Sequence, residues 1–328
     1  MRLLPRSLTV LLVAVAAVAW PGPPATAADA SGTSWSVGPV PAADGTERAN
    51  FDLRVDPGAV VSDTFRVRND GATPLDLSVY AADAFTTREG SLDLPPAGTP
   101  SVDAGLWVRP ETDLLHLEPG QDAVVPFTIS IPADARPGDH PAGIVAALRT
   151  RGDGEVALDR RLGTRIHLRV SGELSPSLSM TVPTVSFTGT WNPFGAGDIE
   201  LAYDVTNTGN TRATGIATPT ASGPLGFGTQ RGEATRLPEI MPGSTVEVRQ
   251  SVPGVVALLH LDAAVTLEGE SVGLGAGRLE PLTASAGLVA VPMVPLVAAL
   301  AIGTLTVALA VAARRRRRAH PTPASTRD

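Results

Sequence analysis

Side chains able to do chemistry are spread along this chain rather than gathered at catalytic spacing. The five histidines, His116, His140, His167, His260 and His320, include no pair at metal-ligand separation. No cysteine is present, which removes a thiol nucleophile, a thiolate metal site and disulfide stapling together. Carboxylates are plentiful, yet none stand in a recognisable acid/base pair, and no catalytic grouping of polar residues emerges. Asp153, Glu155 and Asp159 lack the spacing of an EF-hand calcium loop and read as a solvated surface loop. The sequence therefore predicts that the chain is not an enzyme, with no catalytic residue, no metal site, no cofactor and no assignable ligand contact.

Two short motifs point to binding instead. Arg151-Gly152-Asp153 has the letters of an adhesion signal and lies between two predicted strands. Asp-Gly between strands is a hairpin turn in its own right, and that is the reading the surroundings favour. Trp191, beside Asn192-Pro193-Phe194, could stack on a sugar. The commoner use of such a ring is as core or as a plug at a strand end.

The elements that would carry these residues are strands. Val125, Phe127, Ile129 and Ile131 alternate with Pro126, Thr128 and Ser130. The same period of two recurs in Leu75, Leu77 and Val79, in Ile166, Leu168 and Val170, and in Ile199, Leu201, Tyr203 and Val205. It appears once more in Leu259, Leu261, Ala263, Val265 and Leu267. Such alternation, broken by turn residues at short intervals, predicts half-buried strands and an all-β architecture of immunoglobulin-like sandwiches.

The grammar occurs twice. Val67-Arg68-Asn69-Asp70-Gly71 matches Val205-Thr206-Asn207-Thr208-Gly209, a strand running into a tight turn where Asn and Gly suit left-handed positions. Each is followed by a Pro-Gly turn, at Pro119-Gly120 and Pro242-Gly243, and then by a strand closed by Pro132 or Pro253. Two immunoglobulin-like domains in tandem, divided near residues 172–175, are the simplest account; turn usage common to all sandwiches is the alternative.

Both ends of the chain concern membranes. Arg2 and Arg6 precede an apolar stretch at 8–20, too short to span, and Ala25-Thr26-Ala27 is a cleavage site, so a signal peptide over 1–27 is predicted. Residues 287–313 carry no charge and exceed the ~20 residues a helix needs to cross a bilayer. Arginines at 314–318 follow at once and mark the cytoplasmic side, with a bend expected near Pro292 and Pro295. A sortase-type wall signal is the alternative, but Glu280-Pro281-Leu282-Thr283-Ala284 matches its usual Leu-Pro-x-Thr-Gly only at Pro and Thr.

Eighteen basic and 32 acidic residues between signal and tail leave the exported part near −14, which argues against nucleic acid and against anionic surfaces. All 26 basic residues are arginine, as a high-GC bacterium, such as an actinobacterium, would encode.

The first domain also carries an ordered set of motifs. Trp35-Ser36-Val37-Gly38-Pro39 opens it, followed by Phe51-Asp52-Leu53-Arg54-Val55-Asp56-Pro57-Gly58. After the Val-x-Asn-x-Gly turn come Thr86-Thr87-Arg88-Glu89-Gly90 and Leu117-Glu118-Pro119-Gly120, the latter ahead of Phe127-Thr128-Ile129-Ser130-Ile131-Pro132. Gly138-Asp139-His140 and Ala142-Gly143-Ile144 complete the set. This order resembles the extracellular β-sandwich domain of the WxL-interacting proteins of Gram-positive bacteria, over residues 35–150. The resemblance implies peptidoglycan binding by this domain, in a layout of signal, ectodomain, single helix and basic tail. No motif in residues 175–282 carries over the host-surface or partner-protein binding associated with that family's second domain.

The expectation is thus a single-pass type I plasma-membrane protein with its ectodomain outside the cell. It comprises a signal at 1–27, sandwiches at 28–172 and 173–283, a transmembrane helix at 287–313 and a basic cytoplasmic tail at 314–328. It would bind peptidoglycan or a cell-wall-associated protein non-covalently. A spacer subunit of a membrane-associated surface complex is the alternative, as is a host-surface adhesin.

Overall fold

The computed structural model describes residues 32–42, 44–151, 157–189, 195–257, 259–273, 277–290 and 293–319. The predicted signal peptide at 1–27, Gly152 and Asp153 of the adhesion-like motif, Glu155, Trp191 with its neighbours through Phe194, and His320 lie outside the described residues.

The fold is all-β, two immunoglobulin-like sandwiches followed by one helix, as the periodicity predicts. In the first sandwich, one sheet orders Trp35–Pro39, Val60–Asn69, Asp122–Ser130 and Val108–Pro110. The facing sheet orders Phe51–Val55, Ala157–Val170, Gly138–Arg151, Leu75–Asp83 and Leu114–Leu117. The alternating residues meet between the sheets, where Phe51, Phe65, Phe127, Ile129, Ile144 and Ile166 are fully buried. Phe51 and Phe127 meet edge to face at 5.0 Å, an arrangement the ring quadrupoles favour.

The second sandwich sets Leu178–Met180, Thr184–Thr188 and Thr245–Val255 around Gly197–Asn207. Its other sheet is built on Ala213–Ser222, Leu259–Ser271 and Leu282–Ala290. Ile199, Leu201, Val205, Leu261 and Val265 fill the space between them. Leu259 departs from the predicted face: its φ is 66° and its side chain is exposed, because the chain is still turning there. Pro253 does not close its strand either. The pairing slips where Gly197 and Ile199 oppose Val255 and Val252, so Pro253 sits in a bulge, where its missing N–H leaves no ladder bond unmade.

The repeated Val-x-Asn-x-Gly motif is the same device in both sandwiches. Asn69 and Asn207 are fully buried, and neither they nor Gly71 and Gly209 take positive φ. The expected left-handed turn is therefore corrected to a side-chain clamp. The Asn69 amide donates to the carbonyls of Thr73 and Leu117 at 2.8 and 2.9 Å, and its oxygen accepts from the Gly71 N–H at 2.9 Å. Asn207 does likewise with Thr211, Ile240 and Gly209 at 2.7, 2.7 and 3.0 Å. The Pro-Gly turns close on the same residues, Gly120 N–H on the Asn69 carbonyl and Gly243 N–H on that of Asn207, both at 2.9 Å. The glycines serve close approach: a Cβ on Gly209 would lie 2.4 Å from the Ser177 nitrogen.

At the C-terminal end, the last strand continues to Ala290 and the helix runs Met293–Ala319. The first residues of the apolar run, 287–290, therefore pair in the sheet rather than opening a helix at 287, and the helix carries the arginines with it. An uncharged Gly-Leu-Val-Ala stretch suits an edge strand as well as a membrane helix, so composition alone could not place the switch. Pro295 falls in the first helical turn, where its missing N–H removes no helical bond. Val297–Arg316 is long and apolar enough to cross a membrane.

Candidate functional site

The sandwiches meet across a seam of buried charge. Asp139, 4% exposed in its side chain, receives the Arg169 guanidinium through two bonds at 2.6 and 2.7 Å and the Arg212 N–H at 2.7 Å. Arg212 reaches on to Glu239 at 2.8 Å, and Arg169 to the Val272 carbonyl at 3.1 Å. Beside these, the Asn210 amide donates to the carbonyls of Pro137 and Glu173, and the Asp139 N–H donates to the Asn210 carbonyl. The Phe85–Thr86 strand supplies a second tie: the Thr86 N–H donates to the Ser244 hydroxyl, and the Thr86 hydroxyl donates to the Glu239 carbonyl. Arg88 pairs with Asp204 at 2.8 Å while its carbonyl accepts the Glu247 N–H. The charges here answer one another; the geometry is that of a lock between domains.

Several residues that carry the family resemblance therefore have structural work. Thr86, Arg88, Gly138 and Asp139 build the seam, Leu117 and Gly120 close on Asn69, and Gly143 lies under Leu94. The sequence offered no sign of this seam, because the bonds that join the two sandwiches link residues more than about 70 positions apart.

His140 faces away from the seam, with Nδ1 2.8 Å from the Asp103 carboxylate and Nε2 2.7 Å from the Arg136 carbonyl, under the Trp107 ring. Both nitrogens meet acceptors, an arrangement that suits the imidazolium. Burial pushes its pKa down, but the bonds to Asp103 and Arg136 outweigh it and leave the value raised. Its stabilising share is thus complete below the unfolded value of about 6.5 and is lost as pH rises through the folded value. His167 acts oppositely, since burial and then the Arg212 charge lower its pKa. The stability difference between wild type and His140→Gln, read from urea unfolding, is expected to be larger at about pH 6 than at about pH 9. A difference that ignores pH would show that His140 stays neutral.

The remaining residues singled out from the sequence stay apart. His116 lies against Asp76 and Glu118 on the surface, His260 against Asp262, and Asp159 is 3.8 Å from Arg161. Among the described residues no three His, Asp or Glu side chains converge as metal ligands. Gly269-Glu270-Ser271-Val272-Gly273 has the letters of a nucleophile elbow, a match the sequence reading missed. Ser271 ends a strand with its hydroxyl accepting the Gly277 N–H at 2.9 Å, and among the described residues no helix follows it to complete the strand-turn-helix setting such an elbow requires.

One open strand edge lies on the long hairpin Gly138–Arg151 and Ala157–Val170, whose two strands pair with each other throughout. Phe51–Val55 pairs with Ala157–Val170 only at residues 166–170, so among the described residues no strand covers the outer edge of residues 157–165. Arg160 lies over the Trp35 ring at 5.2 Å, and Leu162 is 40% exposed. On the outer face, a strap at 92–95 crosses the hairpin, with Leu94 lying on Gly143 and Gly163 where any Cβ would collide. Its carbonyls hold Arg161 through Leu94 and Tyr80 through Pro95. Beside the strap opens a shallow cavity of about 400 Å³ bearing Asp93, Asp159, Arg161 and Arg165. A strand edge and a groove of mixed charge thus share one strand.

No family model matches the chain, and no curated protein matches it. Among solved structures, a class 5 fimbriae chaperone, CfaA, is 13% identical over 77% of this chain and 98% of its own, with a TM-score of 0.35. A chain of the Salmonella enterica SafA pilin–SafB chaperone complex is 11% identical over 76% and 95%, at 0.34. The E. coli chaperone DraB is 11% identical over 77% and 96%, at 0.33. Likeness this distant says nothing of what the chain binds.

Proposed function

We propose that this chain is a membrane-anchored surface protein whose first sandwich binds an extended segment of a cell-wall-associated protein non-covalently, along the edge at residues 157–165. The observation that carries the reading is that edge, which no strand covers among the described residues, on a strand of 14 residues. An open edge offers unpaired N–H and C=O groups to an added strand, and alternate side chains supply selectivity. The seam fits the role, since two locked sandwiches on one helix present the edge at a fixed angle. With the signal at 1–27 cleaved on export, the ectodomain outside and the arginines inside, the edge stands on the wall side of the membrane.

Photo-crosslinking on intact bacteria tests this. A crosslinker replacing Leu162 is expected to give a discrete adduct with a surface protein, and one replacing the exposed Val182 of the second sandwich none. Equal adducts at both positions, or none at Leu162, would overturn the edge as the binding site.

Peptidoglycan is the second reading, which the family resemblance implies. The mixed-charge groove favours it, since stem peptides carry both carboxylate and amine groups. Sedimentation of the full chain in detergent with purified sacculi above an unrelated acidic sandwich protein, reduced by Arg161→Glu with Arg165→Glu, is the result expected of it. Neither adduct nor sedimentation would leave the spacer role.

A further inference from the structure

The end of the second sandwich from which the helix departs carries uncharged, apolar segments held out by their backbone. Strand register places three pieces there. Ser222 pairs with Asp262, Asp262 with Gly287, and Leu259 with Ala290, so the loop after Ser222, the turn before Leu259 and the end of the last strand share one rim. The opposite ends of the same strands, at Ala213 and Ser271, approach the seam. Residues 221–230, 251–259 and 281–290 contain no charged side chain. Two described acids border it: Asp262, 3.2 Å from His260, and Asp198, next to Gly197, which pairs with Val255.

Large apolar side chains on this rim are exposed among the described residues. Leu225 is fully exposed, Phe227 72%, Val289 72%, Leu259 58% and Val256 49%. Leu225 and Leu259 are also the two non-glycine residues with positive φ among the described residues, at 58° and 66°. Left-handed backbone at leucine is unfavourable and accumulates where function requires it. The loop is not slack: the Gly223 N–H donates to the Phe227 carbonyl at 2.8 Å, the Gly226 N–H to Gly223 at 3.0 Å, and the Thr229 hydroxyl to Gly226 at 2.8 Å. Two apolar side chains are thereby presented outward on a braced turn.

We propose that this rim seats in the interfacial layer of the phospholipid bilayer, with Leu225 and Phe227 inserted to the level of the upper acyl chains. The occupant follows from chain length. Ala290 and Met293 are three Cα steps apart, at most about 11 Å, and Val297 follows about 6 Å along the helix. If the helix spans a membrane, as the proposed function holds, the rim lies at its surface. Exposed apolar loops without charge beside such a helix match the chemistry of that layer. Seating would fix the tilt of the two locked sandwiches and so the height at which the 157–165 edge stands above the lipid.

The absence of cysteine makes the test direct. Single-cysteine variants Phe227→Cys, Leu300→Cys and Val102→Cys of the full chain would carry a bimane label in phosphatidylcholine liposomes containing lipid spin-labelled at acyl carbon 5. Loss of fluorescence is expected for Leu300→Cys and Phe227→Cys, and none for Val102→Cys, an exposed site in the first sandwich. Quenching at Leu300→Cys with Phe227→Cys at the Val102→Cys level would overturn the seating and leave the anchor intact. No quenching at Leu300→Cys would overturn the anchor and the seating together. Leu225→Asp with Phe227→Asp should also abolish quenching of a label at Val256→Cys; undiminished quenching there would show that the loop does not hold the rim down.

Discussion

Asp139→Ala is expected to lower the stability of the chain by about 3–5 kcal/mol and to let the two sandwiches melt separately. The cost comes from what is left behind. Arg169 and Arg212 are 11% and 12% exposed in their side chains, so loss of the carboxylate takes from the buried Arg169 guanidinium its two charge-assisted bonds, while Arg212 keeps Glu239. The Arg212 N–H loses its acceptor as well, and a buried amide without a partner costs about 1–3 kcal/mol by itself. Calorimetry of the full chain in detergent reads both consequences, a lower midpoint and a split transition. Asp139→Asn keeps an acceptor and the side-chain shape, so its loss should be smaller. Arg88→Ala removes a pair that is 56% exposed on the arginine side, and should cost far less than Asp139→Ala. Equal effects of Asp139→Ala and Arg88→Ala would show that burial does not set the strength of this seam.

What was legible in the sequence follows from what alternation encodes. Val125, Phe127 and Ile129, or Ile199, Leu201 and Val205, report their own burial because a strand turns every second side chain inward. Local spacing carries that information and nothing about distant partners. Thr86 reads as a turn-prone polar residue, yet its hydroxyl both donates to the Glu239 carbonyl and accepts the Met241 N–H, over 150 residues away. Leu94 sits in a Pro-rich stretch without periodicity, and only the fold shows that Gly143 and Gly163 are bare to receive it. The rim at Leu225 and Phe227 was hidden for a related reason. Gly-Pro-Leu-Gly-Phe-Gly reads as a plain loop, and its meaning depends on which end of the sandwich it occupies, a matter of register. The last strand shows the limit of composition, since Leu282–Ala290 has no charge and could have begun the membrane helix.

The duplicated asparagine carries the other large effect. Asn207→Ala should cost about 3 kcal/mol, with Asn69→Ala close to it, because each removes both donors facing two carbonyls and the acceptor of a glycine N–H. Water cannot replace the amide without opening the core, as both side chains are fully buried. Substitution by aspartate separates hydrogen bonding from mere filling of space. An ionised carboxylate has no donor and would turn negative oxygens toward the Thr211 and Ile240 carbonyls, so Asn207→Asp should be worse than Asn207→Ala at neutral pH. Acid should then narrow the gap, since a protonated carboxyl regains one donor. Urea unfolding of the three proteins at two pH values measures this order. Aspartate tolerated as well as asparagine would mean that the motif is only a turn, and that the Pro-Gly loop closes on it without needing its side chain.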